Sequence, residues 1–506
     1  LIDCIKYLNG GFVEKYIGKN FVDGSWIAQR EDFLSYNPST EEIIGGFPQT
    51  NSEEITHSLK VARKGFDVWR KISKVKRADY FWSLCKILEQ RVGDVAKAIS
   101  LETGKNLNES KAEVIEALHM AQYCFGKGRE TSGDIVPSEI AEKDCYIVRK
   151  PKGVVAIIAP WNFPFAIGGF WCAGPSLIEG NTVVFKPSEL TPMVGQITAE
   201  LFDQAGFPKG VFNLIHGDGE VGAKIVNSDL VDHICFTGSA EVGRSIRVAC
   251  ANSWHKTCSC EMGSKSAVVV LNDADIDLAV SACINSAFKL SGQRCVSAGR
   301  LLIQRDILPE FKQRFLSELH LSGYGDPFNM DKSKNYSVYF GPLISKDQKE
   351  RVSCFNQKAR EDKDVTILYD IISPEPKGNY LAPFVYQCEW GDKEFLKNEV
   401  FGPHLAIIPF DTVEQAIEIY NDTEYGLSLG LITNDFKKAR QFRDNCDFGL
   451  GYWNGGSIAA ESHLPFGGVK KSGNGSPSAA GLFDGVVHKV TWTVNHGALS
   501  FPQGLK

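Results

Sequence analysis

Between residues 145 and 303, short β-branched runs alternate with stretches whose apolar residues recur every three or four positions. The runs are Val154 to Ala159, Thr182 to Phe185, Val211 to Ile215, His233 to Phe236 and Ala267 to Leu271. Each is apolar along nearly its whole length, so both faces must be covered. Strands alternating with helices in this way build βαβ units and a mostly parallel sheet with helices on both sides. The alternation resumes at Val365 to Leu368, Leu405 to Pro409 and Leu429 to Thr433, which predicts a second α/β unit after about residue 262. From about 53 to 125 the period is helical, as in A-D-Y-F-W-S-L-C-K-I-L-E-Q-R-V, so this half is expected to open with helices. Only the stretch near 322 to 340, rich in Ser, Gly, Asp and Asn, reads as loose.

Composition removes several classes. The 506 residues, at about 150 per domain, allow roughly three structural units. With 43% hydrophobic and 23% charged residues the chain is ordinary globular protein, neither disordered nor collagen-like. A net charge of −6 without any long Lys/Arg run argues against nucleic acid or a membrane surface as partner. The 14 Cys are scattered singly with no C-x-x-C, as reduced thiols are, which predicts a cytoplasmic protein. Asp3 and Lys6 interrupt the first apolar residues, so no secretory signal is expected, although the missing initiator Met leaves room for a removed leader. The most apolar window, V-V-A-I-I-A-P-W-N-F-P-F-A-I-G-G-F-W, is broken by two prolines and a Gly pair, and nothing is expected to span a bilayer.

Several motifs carry weak signals. In D-H-I-C-F-T-G-S-A-E-V-G-R a strand ends at Gly238 and a helix opens near Ser239, a turn that offers N–H groups to a phosphate or merely caps a helix. H-G-D-G-E-V-G places Gly217, Gly219 and Gly222 in dinucleotide-fingerprint spacing. Asp218 would turn its charge on the pyrophosphate, which favours a structural turn. G-L-S-L-G at 426 to 430 has its strand-like run after the Ser, the wrong order for a hydrolase elbow. His255, Cys258 and Cys260 are metal-ligand types without a fourth ligand nearby, so no metal is expected.

Stronger chemistry lies in five segments. S-G-Q-R-C-V-S-A-G-R sets Cys295 after Arg294, whose positive field suits a thiolate nucleophile. C-E-M-G-S-K-S ends an extended run on Glu261, a carboxylate able to deprotonate water once partly desolvated. A-P-W-N-F-P holds Asn162 between two prolines, and a fixed amide suits a developing oxyanion. The fourth and fifth are N-E-V-F-G-P at 398 to 403 and F-K-P-S-E at 185 to 189.

In this order the five segments resemble the aldehyde dehydrogenase superfamily. The resemblance extends from about Asn20 to the end and takes in N-P-S-T (37 to 40), E-T-G-K (102 to 105), F-G-P-L-I (340 to 344) and L-P-F-G-G-V-K (464 to 470). It implies Cys295 as nucleophile, Glu261 as general base and Asn162 as oxyanion donor. It assigns Lys186 and Glu189 to the adenine ribose, Gly238, Ser239 and Gly243 to the pyrophosphate turn, and Glu399 and Phe401 to the nicotinamide ribose. Pro160, Trp161, Ser188, Gly219 and Phe236 complete the cofactor set. The substrate pocket would draw on Phe163, Ile167, Phe170, Arg294, Val296, Ala460 and Phe466.

The implied reaction is NAD(P)-dependent oxidation of an aldehyde through a thiohemiacetal and a thioester, with NAD favoured and NADP possible. The implied architecture is a Rossmann-like NAD-binding domain (1–132 and 152–262), an α/β catalytic domain (263–475) and a small β oligomerisation element (133–151 and 476–506), in a homodimer or homotetramer. V-V-H-K-V-T-W-T-V then pairs with another subunit, or stands as an edge strand of its own chain. Two departures stand out: Ser264 in E-M-G-S where E-L-G-G is usual, and the charged Arg294 before the nucleophile. Arg294 either faces the tunnel and selects an acid-bearing semialdehyde or pairs with a structural carboxylate. The other readings are oxidation of neutral aliphatic or aromatic aldehydes, a cysteine esterase, and a non-catalytic protein on the same fold.

Overall fold

The computed structural model describes residues 7–8, 11–12, 15–27, 29–328, 334, 336–372, 377–475 and 477–498. The expectations for residues 1–6, for part of the loose stretch (329–333 and 335) and for the tail from 499 lie outside the described residues.

The first sheet has seven strands in the order Thr257–Glu261, His233–Thr237, Val154–Ile158, Thr182–Lys186, Phe212–Leu214, Asn20–Val22, Ser25–Ile27. The first five are parallel; four lie within a residue or two of the β-branched runs, Thr257–Glu261 is the extended segment that ends on Glu261, and the run at Ala267 falls in the second sheet. Val154, Val155, Val183, Val184 and Phe185 are fully buried, as strands covered on both faces require. Strand order reverses at Val154–Ile158, beside His233–Thr237, and a crevice opens there at the carboxyl ends of the strands.

As the helical period predicts, residues from about 53 to 125 form three helices, Ser52–Trp69, Lys74–Thr103 and Leu107–Lys127. The strands Tyr16–Ile17, Asn20–Val22, Ser25–Ile27, Phe33–Tyr36 and Ile43–Phe47 precede the first helix, Ser52–Trp69. They are too short to show a period, but a hairpin signal is present. Asp23 and Gly24 both take positive φ (55° and 69°), the two-residue turn that Asp-Gly favours.

The second sheet runs Thr366–Asp370, Phe384–Gln387, His404–Phe410, Arg300–Gln304, Ala267–Val270, Ser428–Ile432, Leu450–Trp453, parallel except at Thr366–Asp370. A third, antiparallel sheet joins Gly133–Val136, Lys143–Pro151 and Val487–Asn495; the last strand pairs with Lys143–Pro151 of the same chain along its nine residues and forms one edge. No helix among the described residues is long and apolar enough to cross a membrane.

Candidate active site

A cleft of about 1110 Å³ opens at the reversal of strand order in the first sheet. Pro160, Trp161, Lys186, Ser188, Glu189, Gly219, Phe236, Gly238, Ser239, Glu399 and Phe401 line it, and so do Asn162 and Cys295. Ser239 caps the helix Ala240–Ala251, its side chain accepting from the Val242 amide at 3.3 Å. Asp218 turns its carboxylate onto its own helix, accepting from the amides of Glu220 (2.9 Å) and Val221 (3.4 Å). Gly219 still faces open space, with no atom within 4 Å of where a Cβ would stand. Gly243 corrects an expectation. It does not line the cleft; a Cβ there would lie 2.3 Å from Met262 Sδ, so its bareness lets the helix pack on Met262. Lys186 is buried, donates to the Pro187 carbonyl at 3.0 Å and stands 3.5 Å from Glu189, whose side chain is 44% exposed.

Cys295 is delivered by an unusual turn. Leu290, Ser291 and Gly292 take positive φ in succession (54°, 51° and 75°), and a Cβ on Gly292 would lie 2.4 Å from the Gly402 carbonyl oxygen. Gln293 follows, buried, with Oε1 accepting from the Ile344 amide at 3.0 Å. The Gln293 carbonyl accepts from Asn162 Nδ2 at 3.0 Å, which ties the amide to the nucleophile's segment and uses one of its two N–H hydrogens.

The other side of Asn162 is held by a fully buried ion pair. Lys105 Nζ donates to Glu113 at 2.5 Å and to the Asn162 carbonyl at 2.7 Å, while Glu113 accepts from the amides of Phe165 (2.9 Å) and Ala166 (3.1 Å). Breaking such a pair on one side leaves a buried charge uncompensated. The segment around Phe163 is therefore fixed at both ends.

Glu261 ends its strand 1% exposed, and neither carboxyl oxygen has a hydrogen-bond partner. Burial lifts it well above the usual carboxylate range, Cys172 and Glu399 push the same way, and the Gly468 amide opposes them. Burial also lifts the Cys295 thiol, with Glu261 and Glu399 adding to it and the amides of Val296 and Cys295 opposing. Glu399 is pushed up to about 7, again chiefly by burial, against the Ser264 amide that donates to it at 2.7 Å. Burial thus favours the neutral form of both Cys295 and Glu261.

Ile167, Phe170, Val296 and Phe466 belong, with Cys295 itself, to the large apolar core of the first unit, and Phe163 and Ala460 pack against that core. Phe170 is a second correction. Its ring lies 4.9 Å from Phe165 and 5.7 Å from Phe202, in the core behind the segment. Pro164–Cys172 is a π-helix, whose wider turn shifts which residues share a face. Trp171, which sequence reasoning missed, instead meets Phe466 at 5.3 Å, with its indole N–H buried and unpartnered.

Arg294 lies over the Phe163 ring (5.1 Å to the centroid), which also carries Lys105 Nζ at 4.1 Å. Its guanidinium reaches Glu109 at 3.3 Å, and its Nε has no partner. Glu109 supplies the structural carboxylate foreseen as one of the two possibilities. Lys105 and Gln293 were also missed, although both stand inside quoted motifs. Glu113 carried no signal among the carboxylates of its helix. Ser428, in the hydrolase-like string, begins a buried strand and donates to the Ser457 carbonyl at 2.7 Å.

A family model described as the aldehyde dehydrogenase family matches residues 26–489. The chain is 32% identical over 464 residues to an α-ketoglutaric semialdehyde dehydrogenase of Bacillus subtilis (strain 168), covering 90% of this chain and 93% of that protein. Its fold matches a betaine aldehyde dehydrogenase variant of Staphylococcus aureus, solved with NAD+, at a TM-score of 0.89 and 26% identity over 97% of this chain and 100% of that one. It also matches a lactaldehyde dehydrogenase at a TM-score of 0.88 and 29% identity, covering 94% of this chain and 99% of that one.

Proposed function

This chain belongs to the aldehyde dehydrogenase family, whose reaction is NAD(P)-dependent oxidation of an aldehyde, and we propose that its substrate is a carboxylate-bearing semialdehyde oxidised through a covalent intermediate on Cys295. One observation carries the catalytic part. A buried thiol and a tethered amide meet at the cleft, within the field of a carboxyl group that has no hydrogen-bond partner.

In this reading Cys295 Sγ, once deprotonated, bonds to the aldehyde carbon and the carbonyl electron pair moves to oxygen. The free N–H of Asn162 and main-chain amides hold that oxyanion. When bound, the nicotinamide supplies the acceptor for the hydride that leaves the carbon. A thioester on Cys295 remains. Glu261 then takes a proton from water, the water oxygen bonds to the acyl carbon, the C–S bond breaks and the acid leaves. The cleft fits a dinucleotide: it is long enough, it meets two helix N-termini at Gly219 and Ala240, and Gly219 presents no side chain to a phosphate.

NAD is the preferred form. The exposed Glu189 carboxylate can accept from both ribose hydroxyls, whereas a 2′-phosphate would set like charge against it, with Lys186 offsetting part of the repulsion. We expect kcat/KM with NAD to exceed that with NADP by about tenfold or more, ~1.4 kcal/mol. A higher value with NADP would overturn the assignment.

The semialdehyde reading rests on Arg294. It is partly buried beside the nucleophile, its side chain 13% exposed, and keeps one unpartnered N–H despite Glu109. A B. subtilis relative acts, by its name, on an acid-bearing aldehyde. Arg294→Leu, assayed on a panel of acidic and neutral aldehydes, should cost the acidic ones about 1.5 to 3 kcal/mol more in transition-state binding, the range for a charged hydrogen bond. Equal losses on both would make Arg294 only the partner of Glu109 and reopen the substrate class.

We also assign residues 1–132 and 152–262 to the cofactor domain, 263–475 to the catalytic domain, and the edge strand Val487–Asn495, with Trp492 63% exposed, to contact between copies in a homodimer or homotetramer. The free thiols of the described cysteines fit a cytoplasmic setting.

A further inference from the structure

Ser264 stands where E-L-G-G would carry a second glycine, and its side chain does something a glycine cannot. It is buried, 4% exposed, and its hydroxyl donates to the main-chain carbonyl of Cys295. The direction of that bond is fixed by the neighbours. Ser264 Oγ accepts from the Ser266 amide at 3.3 Å and lies 2.9 Å from Ser266 Oγ, so its lone pairs are supplied and its single hydrogen has the Cys295 carbonyl as acceptor.

That carbonyl shares one planar peptide with the N–H of Val296. In a trans peptide that N–H points away from the carbonyl and so away from Ser264, and it is one of the two amides that oppose the upward shift of the Cys295 thiol. We propose that Ser264 is a positioning residue for the nucleophile: its hydroxyl pins the Cys295–Val296 peptide with the carbonyl toward Ser264 and the N–H toward Sγ, so that the thiolate is met by a held, polarised donor. A hydrogen bond to a carbonyl polarises the whole amide and strengthens its N–H as a donor. The next carbonyl, that of Val296, is pinned in the same manner by Ser457 Oγ at 2.6 Å.

The donor matters because the charged groups around the sulfur work against the thiolate. Glu261, from the end of its strand, and Glu399, from the loop before Phe401, both disfavour it. Tyr452, on the strand Leu450–Trp453, is close enough to be coupled to Cys295 and brings no positive charge. The guanidinium of Arg294, adjacent in the chain, is turned onto Glu109. The opposing pull comes from main-chain amides, and Ser264 holds one of them.

The inference rests on Cys295 being the nucleophile, and its test separates the two claims. Full-length, cofactor-free protein is alkylated with iodoacetamide between pH 6 and 10, and the rate at Cys295 is followed by peptide mass mapping. In Ser264→Ala, which keeps the Cβ and loses the hydroxyl, the midpoint should rise by about half a unit to one unit, slowing alkylation near neutral pH roughly three- to tenfold. Ser264→Thr should restore the wild-type profile, and the Kd for NAD should stay within about twofold. An unchanged Cys295 profile in folded Ser264→Ala overturns the proposal. So does weaker NAD binding with unchanged alkylation, which would mean that Ser264 serves only Glu399, through its amide. If Ser264→Ala does not fold, Ser264→Gly is read by the same criteria. A wild-type Cys295 that resists alkylation at every pH while other thiols react would overturn the nucleophile assignment itself, and this inference with it.

Discussion

Replacing Cys295 by Ser is expected to remove aldehyde oxidation and ester hydrolysis together, each by about a thousandfold or more. The swap is nearly isosteric, so the fold should survive it. What changes is the fraction of usable nucleophile. The site already disfavours negative charge on this side chain, through burial and two carboxyl groups, and a hydroxyl is a far weaker acid than a thiol. Among the described cysteines Cys295 alone lines the cleft, so no other thiol can take over. Initial rates of reduced-nicotinamide formation and of p-nitrophenyl acetate hydrolysis check this directly. Near-wild-type activity in either assay would refute the assignment.

The parts of this site that were legible in the sequence share a physical cause. Val154–Ile158 is apolar throughout and His233–Thr237 is apolar in its three central residues because both faces are covered, and that patterning survives without any knowledge of neighbours. The turns that follow them carry Asn162 and Ser239, so finding the strands also found the cleft. Local constraints were legible too: two prolines around Asn162, and the glycine at Gly238 between the end of a strand and the cap of a helix.

Other features depend on geometry that no local pattern encodes. The π-helix Pro164–Cys172 moves Phe170 into the core and brings Trp171 against Phe466, a change invisible to a 3.6-residue period. Glu109 meets Arg294 across 185 positions of sequence, so only the fold could decide which carboxylate, if any, the guanidinium finds. The hairpin at Asn20–Ile27 was announced by Asp23-Gly24, but its three-residue strands were too short to show alternation.

Glu261→Gln is expected to leave folding and cofactor binding intact while slowing thioester hydrolysis about a hundredfold or more, the usual worth of a general base. Neither oxygen of Glu261 makes a close hydrogen bond, so an amide of the same shape gives up only the pull of the Gly468 amide. The first half of the reaction does not need this base to attack anything, and an acyl-enzyme should therefore accumulate. Acid quenching followed by mass measurement of the Cys295 peptide would reveal it. The pH dependence fixes the sign. Burial holds the Glu261 carboxyl protonated well above the ordinary carboxylate range, and only the deprotonated form can take a proton from water. Wild-type hydrolysis should thus rise with pH above the ordinary carboxylate range, and the part of that rise due to Glu261 should vanish in the Gln variant. Strong acceleration of the wild type by coenzyme A would sink this reading, because a thiol acceptor that outcompetes water has no use for a base placed to activate water.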